Sequence, residues 1–353
     1  MKGFSSMSIF YRTVIYLSIL SSLITSHLSY ADNNKSLKAE AFSDPDYVAT
    51  PEKGFLEQTI KYDKKIADDV DVVISLGQQT HPAMHKMVED LAKEKGFKVV
   101  IQEGTCGATA KKLRKKSVDI ATYCCPPGKV DRLPGLKFHT VAIAPVALVT
   151  HVDNPVNDVS TEDAKKIFKG DYVTWTEVPG FQTLSDKIKG KHIQPVVRLH
   201  CKKRPGHWRL LLNNADQISP RAKSVGTIVD MISHVANDVS AIGYETPFML
   251  KVHKDRGDLK ILSIDNNKPE DVKKLLNGEY PVYRSYSLTT WTNENNKNEK
   301  AAILMDAIYD YMQQHGEQYG FVSASKLKSA GWKFKDRELI AEPDGQNIIS
   351  DHQ

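Results

Sequence analysis

The stretch "DVVISLGQQTHPAMHKMVEDLAKEKGFKVVIQEG" (71–104) limits the possible folds more than any other part of the chain. A short β-branched run leads through a loop into a segment where Met84, Met87, Val88 and Leu91 recur at helical spacing, and a second β-branched run follows. Thr80 stands at the helix start, Pro82 suits its first turn, and Gly96 ends it. The unit is β-loop-α-β.

The pattern then repeats. "GTCGATAKKLRKKSVD" starts a second helix directly after a strand, and "DIATYCCPPG" is a strand running into a proline-stopped loop. "TVAIAPVALVT" (140–150) reads as a long buried strand, and Ser160 and Asp163 have capping-box spacing before a short helix. "IQPVVRLH", "SAIGYE" and "LKILSI" read as further strands, and the last long amphipathic helix runs through "KAAILMDAIYDYMQQHG". Alternation of this kind implies α/β layers that receive ligands at the C-terminal ends of their strands.

Residues 1–31 have the marks of an export signal: Lys2 and Arg12, the apolar run "TVIYLSILSSLIT", and the small-residue site "SYA" ending at Ala31. Removing them lowers the formal net charge from +5 to +3, too small an excess to argue for nucleic acid or a membrane surface. Residues 32–68 are polar without periodicity and read as a linker or surface arm. The sequence lacks G-x-S-x-G, H-E-x-x-H, C-x-x-C-H, P-loop and G-x-G-x-x-G motifs, so no catalytic residue, metal site or cofactor is expected.

Four strand-to-helix loops carry small, hydroxyl or basic residues instead: "GQQTHP" (77–82), "GTCGA" (104–108), "ATYCCPP" (121–127) and "RLHCKKRPGHW" (198–208). Backbone N–H groups at helix starts bind anions without a metal. In their order, these loops resemble the phosphate-binding members of the type 2 periplasmic binding proteins, the substrate-binding components of ABC importers. "QQTHP" is similar to that family's Gly-Ala-Thr-Phe-Pro turn, "GTCGA" to its Gly-Ser-Ser-Gly-Gly turn, and "VDIATYCCPP" to the segment with its ligand-binding aspartate. "VALVTHVDNPVNDVSTEDAKKIFKGDYVTWTEV", "IQPVVRLH", "SAIGYE" and "YPVYRSYSLTT" continue the family's order over most of 70–335.

The resemblance implies a two-lobe α/β fold with two crossover strands and a ligand cleft between the lobes. The crossings map near 141–150 and 241–246. The first lobe then combines 69–146 with 244–353 and its tail, and the second comprises 147–243. Thr80 and the backbone of His81 fall at an anion-donor turn, Thr105 at a donor serine, and Arg198 at the arginine that pairs with an oxyanion. Cys124 takes the place of the family's proton-accepting aspartate, and a neutral thiol accepts such a bond poorly. In loop four the Gly-Ser-Gly-Thr turn is replaced by Lys202, Lys203 and Arg204, exchanging neutral donors for cations.

The implied function is extracytoplasmic capture of phosphate or a phosphate-like oxyanion, by a monomer that works with ABC transporter membrane subunits. The ligand residues expected are Thr80, His81, Thr105, Cys106, Cys124, Arg198, Cys201, Lys202 and Arg204. The cysteines leave alternatives open, since Cys106, Cys124, Cys125 and Cys201 fall on three of the four loops. A disulfide of Cys106 with Cys124 or Cys125 is one reading. A cleft for arsenite or a soft metal is another, and a thiol-dependent enzyme or redox partner on the same scaffold is a third.

Overall fold

The computed structural model describes residues 42–66, 69–181, 188–199 and 217–343. Within them, the β-loop-α-β unit consists of β1 (Val72–Gly77), α1 (His81–Glu94) and β2 (Val99–Gly104), with β1 and β2 parallel and Val72 opposite Val99. A helix inserted between two strands brings the chain back to the end where it started, which makes the strands parallel. After α2 (Cys106–Arg114), β3 (Ile120–Tyr123) pairs parallel with β1 on its other side. All six residues of β1 are buried, and they serve two cores by alternation. Val72, Ile74 and Leu76 pack with Met84, Met87 and Val88 of α1, whereas Val73 packs with Leu113 of α2.

The chain continues through β4 (Leu136–Pro145), β5 (Ala147–His151), β6 (Asp158–Val159), α3 (Thr161–Lys169), β7 (Gln194–Val197), β8 (Lys223–Ser224) and α4 (Ile228–Ala236). Next come β9 (Ala241–Glu245), α5 (Pro247–Val252), β10 (Leu259–Ile264), α6 (Val272–Leu276) and β11 (Tyr283–Trp291). It ends with α7 (Glu299–His315), β12 (Val322–Ser323), α8 (Ala324–Ser329) and the hairpin of β13 (Lys333–Lys335) and β14 (Glu338–Ala341). Two six-stranded mixed sheets result, in the orders β12-β4-β11-β3-β1-β2 and β6-β10-β5-β9-β7-β8. One apolar core packs on the first sheet, another packs on the second and runs on into Ile143 and Val322 of the first, and together the sheets make the two-lobe α/β fold.

Two details differ from the sequence reading. The run 140–150 is two strands in different sheets, and the chain passes between lobes at Val146, whose N–H donates to Val282 O at 3.0 Å. The return passage lies beside it at 282–283, where Tyr283 stands opposite Pro145. It does not lie at 241–246, because β9 stays in the second sheet and β10 pairs antiparallel with β5, Leu262 opposite Leu148. The second lobe therefore extends past residue 243 to include β10 and α6.

The described part of the expected surface arm, 42–66, is docked on the first lobe. Phe55 is 3% exposed and packs with Leu113 and Trp291. Lys116, also buried, donates through Nζ to Phe55 O at 2.5 Å and Gln58 O at 2.7 Å, with its ammonium 4.4 Å from the Phe55 ring. Burying one such ring contributes about 2 kcal/mol, enough to hold a segment that has no regular structure of its own. Periodicity missed this because a single aromatic anchor has no period.

His139 on β4 gives the first lobe a pH response. Its Nε2 lies 2.8 Å from Thr290 Oγ1, and burial, reinforced by Arg337, lowers its pKa to about 4 from 6.5. Between those values the unfolded chain binds more protons than the folded one. Stability is therefore expected to fall by about 2 kcal/mol as pH drops from 6.5 to 4, and His139→Gln should flatten that slope in urea unfolding.

Candidate functional site

Parallel pairing places the ends of β1, β2 and β3 along one edge of the first sheet, so loops one to three emerge together. In the second sheet β7 and β9 are also parallel, and their C-terminal ends present Arg198 and Glu245. The two edges meet directly: Gln79 of loop one donates through Nε2 to Glu245 Oε1 at 2.7 Å, a hydrogen bond from one lobe to the other.

Thr80 is 1% exposed and is the N-terminal flanking residue of α1, yet its side chain does not cap that helix. Its Oγ1 donates to Gly77 O at 3.0 Å and lies 2.7 Å from Thr122 Oγ1, which also accepts from Gly77 N at 2.7 Å. Loops one and three are thus tied through two hydroxyls. His81 is the first residue of α1, with its Nδ1 3.8 Å from Glu103 Oε2 and its ring beside His85. Burial lowers the His81 pKa, and the neighbouring Glu103 opposes the shift. Thr105 caps α2 by accepting from Ala108 N at 3.2 Å, so its hydroxyl fixes the helix start instead of standing free. Cys106 and Cys124 are 6% and 4% exposed, with their sulfurs 2.7 Å apart. The hydrogen bond with Cys106, together with burial, raises the Cys124 thiol above the ordinary range.

Arg198 is 4% exposed and Glu245 fully buried, and Arg198 Nη2 donates to Glu245 Oε2 at 2.5 Å. The Arg198 backbone N–H donates to the Tyr244 hydroxyl at 3.1 Å, and its buried Nε has no hydrogen-bond partner among the described residues. Glu245 Oε1 also accepts from Thr246 N at 2.8 Å. Burial alone would raise the Glu245 pKa, but Arg198 and Arg284 outweigh it and hold the carboxyl below the usual range. Arg284, on β11 of the first sheet and likewise 4% exposed, is held charged by the same carboxylate against the cost of burial. Among the described residues the centre therefore brings two guanidinium groups to one carboxylate. Guanidinium groups are suited to pairing with an oxyanion.

Of the residues expected from the sequence, Arg198 lies at this meeting of the lobes, Thr80 directly follows Gln79 there, and Cys106 and Cys124 touch each other. His81 and Thr105 sit at the starts of α1 and α2, engaged as described. Cys201, Lys202 and Arg204 lie outside the described residues. Sequence reasoning missed Gln79, Thr122, Glu245 and Arg284. A signal existed for two of them: a glutamate ending the apolar strand "SAIGYE" and an arginine within "YPVYRSYSLTT" are charged residues where burial is expected. A cavity of about 530 Å³ lies elsewhere, between the docked arm, β4 and β14. Of its charged lining, Arg132 pairs with Glu338, Arg337 with Asp306 and Lys335 with Asp46.

A family model described as a PBP superfamily domain matches residues 63–313. The phosphate-binding protein PstS of Bacillus subtilis (strain 168) is 27% identical over 186 residues, covering 52% of this chain and 55% of that protein, so the match spans about half the relative's length. A solved putative phosphate ABC transporter substrate-binding protein from Clostridium perfringens, with bound phosphate, superposes with a TM-score of 0.61 at 21% identity, covering 72% of this chain and 99% of that one. An ABC-type phosphate transport receptor from Vibrio cholerae superposes with a TM-score of 0.55 at 18% identity, covering 71% of this chain and 99% of that one. These two likenesses concern the fold, and the two-lobe α/β architecture agrees with them. With the family match covering well over half of its length, the chain belongs to the PBP superfamily.

Proposed function

We propose that this protein captures phosphate or a phosphate-like oxyanion outside the cytoplasm and delivers it to the membrane subunits of an ABC importer, without chemistry of its own. The observation that carries the reading is the buried Arg198 where the lobes meet, which pairs with Glu245 through Nη2 and keeps its Nε without a hydrogen-bond partner among the described residues. Arginine presents several N–H donors in a planar fork that suits a tetrahedral oxyanion. The names of the relatives support the same ligand class. Thr80 and Thr122 supply hydroxyls near the lobe contact, and the interlobe bond from Gln79 to Glu245 supports a site that is enclosed when the lobes meet. Enclosure removes water and strengthens each charge-assisted bond to the ligand.

Export rests on the signal-like segment 1–31, and among the described residues no helix is long and apolar enough to cross a membrane. A monomer is the simplest form for a carrier whose site lies between its own lobes. The thiophilic alternative is disfavoured because Cys106 and Cys124 are buried, 6% and 4% exposed, and in contact with each other, whereas a thiophilic ligand requires accessible sulfur. Among the described residues, no three His, Cys, Asp or Glu side chains are grouped to hold a metal.

A thermal-shift panel of phosphate, sulfate, arsenate, arsenite, molybdate and copper, with and without reductant, tests the reading. A ligand of the native state raises the melting temperature by mass action. Stabilisation by phosphate or arsenate that survives thiol alkylation is expected. Stabilisation by arsenite or copper alone, abolished by alkylation, would replace the reading with the thiophilic one.

A further inference from the structure

We propose that Cys106 and Cys124 form a disulfide in the exported protein and that this bridge clamps the start of α2 to the third loop. Cys106 is the first residue of α2, and Cys124 directly follows β3. Both are free thiols in this structure, and their sulfurs are in contact at 2.7 Å, so the bond can close by an approach of about 0.7 Å. Both belong to the core packed between β1 and α1, whereas Cys125, equally buried, is outside that cluster. The sequence left Cys124 and Cys125 as equal partners for Cys106, and the packing selects Cys124.

The chemistry balances with a disulfide oxidant. A thiolate attacks the oxidant's S–S bond to give a mixed disulfide, and the second cysteine displaces it. The two protein thiols lose two protons and two electrons, and the oxidant leaves as a dithiol. The bridge rests on export for its oxidising surroundings, and its role at the site rests on the proposed anion function. Thr105 precedes Cys106 and caps α2, so a clamp at Cys106 holds the amide-bearing end of that helix in place. Fixing this end beforehand lowers the ordering cost of binding.

The test uses the full chain, exported into an oxidising compartment, denatured with iodoacetamide but no reductant, and digested with trypsin. Peptides 99–111 and 117–129 are expected as one linked species, separated by dithiothreitol, and the link should persist in Cys125→Ser. Reduction is expected to lower the melting temperature of the wild type by about 5 °C or more. It should also reduce the shift given by phosphate. Separately alkylated peptides, or loss of the link in Cys125→Ser, would overturn the pairing whatever the protein binds. A link whose reduction leaves the phosphate shift unchanged would overturn the clamp. Absence of any phosphate shift in the linked wild-type protein counts against the anion reading and leaves the pairing standing.

Discussion

Arg198→Ala is expected to weaken oxyanion binding at least about 100-fold and to abolish the thermal shift given by phosphate, while the far-UV spectrum stays native. Truncating one partner of a buried, hydrogen-bonded charge pair typically costs about 2–5 kcal/mol of binding. The geometry adds a specific reason. One arm of the guanidinium is committed to Glu245, while Nε is buried without a hydrogen-bond partner among the described residues and is available to a ligand oxygen. Lysine cannot replace it, because a point charge does not supply the two bond directions. Arg284 remains as a counter-ion for Glu245, so the ligand-free variant should lose only about 3 kcal/mol, the lower end for a broken buried pair. Calorimetric titration and urea unfolding read the two effects separately, and unchanged affinity would remove Arg198 from the site.

Glu245→Gln should give the opposite pattern. The substitution keeps the shape and removes the carboxylate that pairs with Arg198 and helps to hold Arg284 charged. A loss of about 3 kcal/mol is expected without ligand. An anion then restores the missing negative charge, so the phosphate-induced shift should be larger than in the wild type. An equal or smaller shift would mean that the carboxylate takes part in binding instead of balancing the arginines. Acid provides a second check. The folded-state pKa of Glu245 lies below the ordinary 4.5, so its contribution is complete above 4.5 and is lost as pH falls through the lower value. The glutamine variant should lack that part of the acid transition.

The layered α/β fold was legible because it rests on short-range patterns. Apolar residues in β1 and the helical spacing of Met84, Met87 and Val88 each point to one local structure, and the loops that follow inherit their positions from the strands. The interlobe passages were harder to read. Pro145, Val146 and Ala147 form one apolar run in sequence, and only long-range pairing with 282–283 shows that the sheet changes there. Strand β10 was recognised as a strand but assigned to the wrong lobe, because its partner, β5, lies over a hundred residues earlier. At the site, Thr80 and Arg198 could be found because they lie in recognisable loops. Glu245 and Arg284 stood out as charges within apolar strands, but their influence on each other comes from strands of two different sheets, a relation that no local spacing encodes.

Calorimetric titration of phosphate into the ligand-free wild-type protein tests the central claim most directly. Saturable binding of one phosphate per chain, absent from Arg198→Ala and retained after thiol alkylation, is the predicted result. A folded wild-type protein that gives neither binding heat nor thermal stabilisation with any tetrahedral oxyanion would contradict it.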